Sequence, residues 1–107
     1  MASVEIAGRG EPSVVDDWLV RYPQGRRALV VEGLFALPRV PPDVATVRLA
    51  PGCVCCIGQL PLRVALMRLV RQHRPEHVLL VLSDLSHRAA VETLIADPRL
   101  GLRPPDS

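Results

Sequence analysis

The feature that most constrains this chain is the run His77–Leu82, with the sequence HVLLVL. From Val78 to Leu82 its residues are apolar at consecutive positions, which is the pattern of a strand buried on both faces. Strands of that kind belong to parallel sheets that are covered by helices on both sides. Because the chain has only three aromatic residues, aliphatic side chains must build this core. We therefore expect an α/β domain.

Apolar periodicity predicts the remaining elements. Three more short strands are predicted at Val4–Ile6, Ala28–Val31 and Val44–Leu49. Three helices are predicted at about Val15 to Tyr22, Gln59 to His73 and Ser86 to Ala96. This order indicates a three-layer α/β domain with a small, mostly parallel sheet of about four strands. We expect one domain over residues 1–97, followed by a polar, Pro-rich tail over residues 98–107.

Charge and composition narrow the classes of partner. The net charge is only +2, and few aromatic side chains are present to stack on bases, so no nucleic-acid partner is expected. All 13 basic residues are Arg, so mechanisms that need a Lys are excluded. The N-terminus has no secretory signal, and no apolar run is long enough to span a bilayer. We expect a cytoplasmic protein without membrane contact.

Cys53, Cys55 and Cys56 are the only cysteines, and they lie in the stretch APGCVCCIGQLP at residues 50–61. In a reducing compartment such spacing indicates metal ligands or reactive thiols. The start of the following helix favours thiolate, and soft sulfur ligands prefer Zn²⁺ or Cu(I). Three ligands leave a tetrahedral ion with one open position, which suits transfer. Two alternatives stay open: redox chemistry through the Cys53–Cys56 pair, and burial as small apolar side chains.

Other polar residues are assigned to the surface. Three histidines lie at or beyond the far end of the long helix, ~20 Å from the thiols at 1.5 Å per residue, and are expected to be lone surface residues: His73, His77 and His87. Four arginines share one arc of that helix: Arg63, Arg68, Arg71 and Arg74. We expect a solvated face there, with an acidic partner surface as the alternative.

The order of motifs, with Gly52–Cys56 (GCVCC) opening a long helix, resembles the N-terminal domain of the CobW-type GTPases. These are P-loop proteins of the SIMIBI class, related to the hydrogenase and urease maturation GTPases. The resemblance covers about residues 2 to 97, and only the cysteine motif is specific. It implies a P-loop-NTPase-like fold and a zinc or similar ion on Cys53, Cys55 and Cys56, delivered with GTP hydrolysis. It also implies a recipient metalloprotein, and a homodimer across the nucleotide face.

The phosphate loop departs from that family. The corresponding stretch, GRGEPS, retains Gly8, Gly10 and Ser13 as a vestigial loop. Glu11 stands at the position of the family's Lys and Pro12 at that of a Thr. Glu11 places a carboxylate against the phosphates, which costs about 4 kcal/mol at an effective dielectric near 20, and Pro12 lacks an N–H donor. We therefore expect neither GTPase activity nor binding of GTP with Mg²⁺.

These observations lead to two expectations of function. The first is a degenerate CobW-like domain that binds a thiophilic metal ion through its CxCC loop, for buffering or transfer. The alternative is a non-catalytic interaction module that dimerises or pairs with a full-length relative, the cysteines being remnants. Glu32 stands at a position that is acidic in the family. The resemblance implies a vestigial metal or switch residue there, whereas we expect a solvated loop carboxylate.

Overall fold

The fold is described from a computed structural model for residues 2–8, 14–32, 40–49, 60–82 and 88–103. Within these ranges the strands are β1 (Ala2–Gly8), β2 (Arg27–Glu32), β3 (Ala45–Leu49), β4 (His77–Leu82) and β5 (Leu102–Arg103). The α-helices are α1 (Val14–Arg21), α2 (Leu60–His73) and α3 (Arg88–Ile95), and a 3-10 turn covers Pro98–Leu100. The predicted order of strands and helices is confirmed as far as α3.

The strands form one sheet in the order β3-β2-β4-β1-β5, and every described pair is parallel. Parallel neighbours cannot be joined by a tight turn, and the described helices α1, α2 and α3 lie in the connections from β1 to β2, from β3 to β4 and from β4 to β5. The strand β4 lies between β1 and β2, and its residues from Val78 to Leu82 are at most 2% exposed. The prediction of an α/β domain with a mostly parallel sheet is confirmed.

The sheet has a separate apolar core on each face. On one face, Val15 and Trp18 of α1 pack with side chains of the central strands, which are Leu29, Val31, Leu79 and Val81. On the other face, α2 and α3 contribute Leu62, Leu66, Leu69, Val91, Leu94 and Ile95. Because successive strand residues point to opposite faces, both layers draw on the same strands. This explains the uninterrupted apolar run in β4 and confirms three layers.

The last described segment differs from the prediction. Residues 98–107 were assigned to a polar tail, but Leu100 and Leu102 are each 2% exposed, and β5 pairs with β1. The sheet therefore has five strands in the described residues rather than about four. The sequence hides this strand because two residues show no period. Pro98 and Gly101 read as loop signals, although here Pro98 starts the 3-10 turn and Gly101 caps it at a φ of 68°.

The C-terminal segment is tied to α2 by Asp97. Its Oδ2 lies 2.8 Å from Nη1 of Arg63 and 2.8 Å from Nη2 of Arg99. Arg63 is therefore an ion-paired residue rather than part of a solvated face, whereas Arg68, Arg71 and Arg74 are exposed as predicted. Hydrogen bonds from Arg99 first, and then from Arg63, hold the pKa of Asp97 well below its ordinary range.

Helix α2 ends at His73, as the sequence predicts, and Arg74 then adopts a φ of 45° ahead of Pro75. This left-handed conformation is common just after a helix but is unfavourable for residues with a Cβ. Arg74 is therefore a position where glycine suits the backbone better than the native residue.

We expect Arg74→Gly to raise the free energy of unfolding by about 0.5 kcal/mol, since relief of the left-handed strain exceeds the entropy cost of glycine. Arg71→Gly, in the interior of the same helix, should lower it by about 1 kcal/mol. Urea denaturation of the two variants and the wild type measures both changes. A loss of stability in Arg74→Gly as large as that in Arg71→Gly would contradict this account of the helix end.

The lowered pKa of Asp97 predicts an acid-sensitive contribution to stability. Its folded pKa lies below the unfolded value of about 3.9, so this contribution is full above about pH 5 and is lost as the pH falls. Asp97→Asn should therefore destabilise the protein at pH 7, and the difference from wild type should shrink toward pH 3. Denaturation curves at a series of pH values test this. Asp17→Asn, at an exposed carboxylate on α1, is the control, and an equal pH-dependent difference there would refute the prediction.

Candidate functional site

The carboxyl ends of four strands meet along one edge of the sheet, here called the carboxyl edge. Its residues are Gly8, Leu82, Glu32 and Leu49, the last residues of β1, β4, β2 and β3. Gly8 is the register partner of Leu82, and Glu32 is the partner of Leu49. Since Val31 pairs with Val81, the last residues of all four strands are aligned across the sheet. In open α/β sheets ligands bind at this edge.

Both candidate segments from the sequence begin at the carboxyl edge. The vestigial phosphate loop starts at Gly8, and the cysteine segment connects Leu49 of β3 to Leu60 of α2. The remaining residues assigned to these segments lie outside the described residues: Gly10, Glu11, Pro12, Ser13, Cys53, Cys55 and Cys56. The fold thus brings together the strand ends that precede the two segments.

Glu32 is buried, and the prediction of a solvated loop carboxylate is wrong. Its residue is 2% exposed, and it forms the last position of β2. Strand alternation places it on the same face as Ala28 and Val30, which pack in the core formed with α2 and α3. The sequence suggested a loop because Glu32 follows an apolar run and precedes Gly33. A buried carboxylate costs several kcal/mol unless polar groups or a metal ion balance it.

Helix α2 begins at the carboxyl edge and covers the face of the sheet on which Glu32 lies. It has 14 residues, and its first turn contains no acidic residue. The N-terminus of a helix of this length carries a partial positive charge from its unpaired N–H groups. No side-chain carboxylate in the first turn offsets that charge. The entry to α2 is therefore a favourable environment for thiolates.

The two described histidines lie at the opposite edge, here called the amino edge. His73 ends α2 and His77 begins β4, whose six residues span ~16 Å at 3.3 Å per residue. His77 is not a lone surface histidine, because its Nδ1 lies 2.8 Å from Oγ of Ser3 and its ring stacks on Tyr22 at 3.8 Å. His87 lies outside the described residues. Among those described, no group of three or more histidine, cysteine or acidic residues is arranged to hold a metal ion.

The amino edge is closed by polar contacts that the sequence analysis missed. Arg21 donates to both carboxylate oxygens of Glu5, at 2.8 and 2.6 Å. The buried Arg27 donates to the main-chain oxygen of Tyr22 at 2.9 Å and to Oδ2 of Asp43 at 2.8 Å. The hydrogen bond from Arg27 lowers the pKa of Asp43. These contacts fasten the end of α1 and the turn before β3 to the sheet.

An all-parallel sheet between helices, with its candidate segments at the carboxyl edge, is consistent with a P-loop-like α/β domain. Part of the chain is similar to the zinc chaperone YeiR of Escherichia coli (strain K12), with 36% identity over 47 residues. The match covers 44% of this chain and only 14% of that protein. No family model and no solved structure matches the chain. None of the helices in the described ranges is long and apolar enough to cross a membrane.

Proposed function

We propose that this domain binds a thiophilic metal ion, zinc in the first place, through Cys53, Cys55 and Cys56, for buffering or transfer. We also propose that it does so without hydrolysing GTP. The observation that carries the proposal is the pairing of Glu32 with Leu49 at the carboxyl edge. That pairing puts a buried carboxylate beside the strand end from which the cysteine segment continues.

Chain length supports a site at this edge. Cys53 follows Leu49 by four residues, and Cys56 precedes Leu60 by four. Four residues of chain span at most about 14 Å, even when fully extended. This short reach supports our proposal that the thiols bind their ion near the carboxyl edge and the start of α2. Neither His73 nor His77 is available there, because both lie at the amino edge.

The donor set suits zinc. Thiolates are strong zinc ligands, and the N-terminus of α2, whose first turn has no acidic residue, favours the deprotonated form. Three thiolates leave one tetrahedral position, which a carboxylate oxygen can occupy. Glu32 is our candidate for that fourth ligand, because it is buried at the same edge and on the face covered by α2. The partial similarity to a zinc chaperone supports the choice of metal.

The proposal that GTP is not hydrolysed is supported by residue chemistry. Glu11 and Pro12 stand where CobW-type phosphate loops have Lys and Thr. The Lys of such a loop places positive charge on the β- and γ-phosphates, and the hydroxyl beside it holds Mg²⁺. The 107 residues contain no Lys that could take over the role. On this proposal, metal binding is uncoupled from nucleotide.

Titration of the reduced protein with Co²⁺ tests the metal site. We expect thiolate-to-Co²⁺ charge-transfer absorption that saturates at one ion per chain and is displaced by Zn²⁺. The variant with all three cysteines changed to Ser should show none. Glu32→Gln should keep the charge-transfer band but bind the metal about tenfold more weakly, since one ligand or its support is lost. Glu92→Gln, at an exposed carboxylate of α3, is the matched control and should bind like the wild type.

Three results would contradict the proposal. The metal site is refuted if the wild type shows no charge transfer, or if the Cys→Ser variant shows the same signal. The absence of GTPase function is refuted if calorimetry with GTP and Mg²⁺ shows micromolar affinity together with phosphate release. A concentration-dependent dimer that ignores both metal and chelator would instead favour the interaction module.

A further inference from the structure

We propose that β3, together with the groove between β3 and α2, binds an extended acidic segment of a partner protein by strand addition. This surface, here called the β3 groove, runs between β3 and α2 and shares only Leu49 with the four residues of the carboxyl edge. The inference rests on the edge position of β3, on the shape of the groove and on the charges around it. It requires neither the metal ion nor nucleotide.

β3 is the terminal strand of the sheet in the described residues. Its neighbour β2 is buried at all six positions, whereas β3 alternates between half-buried and exposed residues. One side of β3 pairs with β2, and within the described ranges no strand pairs with the other side. An edge strand of this kind presents main-chain donors and acceptors that can pair with another extended chain.

The groove beside β3 has room for side chains of an added strand. Its volume is about 330 Å³, and its walls include Val47 and Leu49 of β3 and Val64 and Leu69 of α2. This volume is at the low end of the range for small-molecule sites, so it suits one or two aliphatic side chains. Val64 is 37% exposed, one of two large apolar side chains exposed in the described part of the chain.

The charges around the groove favour an acidic segment. Arg68 and His73 of α2 line it, and none of its described lining residues is acidic. Arg48 is exposed on the other face of β3. Carboxylates that flank the apolar side chains of an added strand would therefore meet Arg68 at the groove. Self-pairing of β3 would instead bring like charges together.

The groove does not suit a single-stranded nucleic acid. Such partners are held by aromatic side chains that stack on the bases, and the groove is lined by aliphatic residues with one histidine at the rim. An extended peptide, by contrast, uses the features that β3 offers: main-chain pairing, alternate apolar side chains and flanking carboxylates. We therefore assign the groove to a peptide.

Fluorescence anisotropy with a labelled probe peptide tests the proposal, in buffer that contains EDTA to remove metal. The probe alternates valine and glutamate over eight residues and has two aspartates at each end. We expect saturable binding with a Kd below about 1 mM. Arg68→Glu should weaken it at least about tenfold. Arg71→Glu changes another exposed arginine of α2, one that is not among the residues lining the groove, and should weaken binding less than about twofold.

Four further probes test the mode of binding. In an extended strand the N–H groups of the valines point to one edge and those of the glutamates to the other, and only one edge pairs with β3. N-methylation of all valines and N-methylation of all glutamates should therefore differ, one abolishing binding and the other sparing it. A peptide with lysine in place of each acidic residue should not bind. The proposal is overturned if the acidic probe does not saturate, or if the lysine peptide or oligouridylate RNA binds as well. It is also overturned if both methylated probes behave alike, or if Arg68→Glu and Arg71→Glu have equal effects.

Discussion

The parallel pairing of β4 with two neighbours is the interaction on which the rest of the structure depends. β1 and β2 do not pair with each other, and the position of each along the sheet is set by β4, in which His77 pairs with both Ser3 and Arg27. The register of β4 therefore brings Gly8 and the end of β2 to the same height. A shift of one residue in either pair would move a strand end about 3.3 Å and turn its side chains to the other face.

The two edges of the sheet have different roles. Toward the amino edge, side chains hydrogen-bond one another: Ser3 with His77, Arg21 with Glu5, and Arg27 with Asp43. These contacts fasten α1 and the turn before β3, so they hold the layers in place. At the carboxyl edge the described strands end in Gly8, Leu82, Leu49 and the buried Glu32. The two candidate segments from the sequence follow the strand ends at this edge, away from those polar contacts.

The sequence predicted elements whose pattern is local. The bounds of β4 and the end of α2 were predicted correctly, since a continuous apolar run follows Pro75 and the helix stops just before it. β5 escaped prediction because two residues have no period, and its burial depends on pairing with β1, 100 residues earlier in the chain. The contact of His77 with Ser3 likewise joins residues 74 positions apart.

The positions of the vestigial phosphate loop and the cysteine segment after strands could be predicted from the sequence, but the burial of Glu32 could not. Polar residues after an apolar run usually mark a loop, and nothing local shows that β2 continues one residue further. Its burial follows from the neighbours that only the sheet supplies, Leu49 on one side and β4 on the other. The strand order is also a non-local property. It places β3, from which the cysteine segment continues, beside β2, which ends in Glu32.

The proposed metal site limits how an ion could be released. If the domain binds zinc without GTP, nucleotide hydrolysis cannot drive the ion off, and ligand exchange has to do so. Three thiolates hold the ion strongly, whereas a single carboxylate is a harder and weaker partner for zinc. A recipient that offers imidazole or thiolate would therefore displace Glu32 first. Because Glu32 is held at the end of a buried strand, the exchange would begin at the fourth position and leave the fold of the sheet intact.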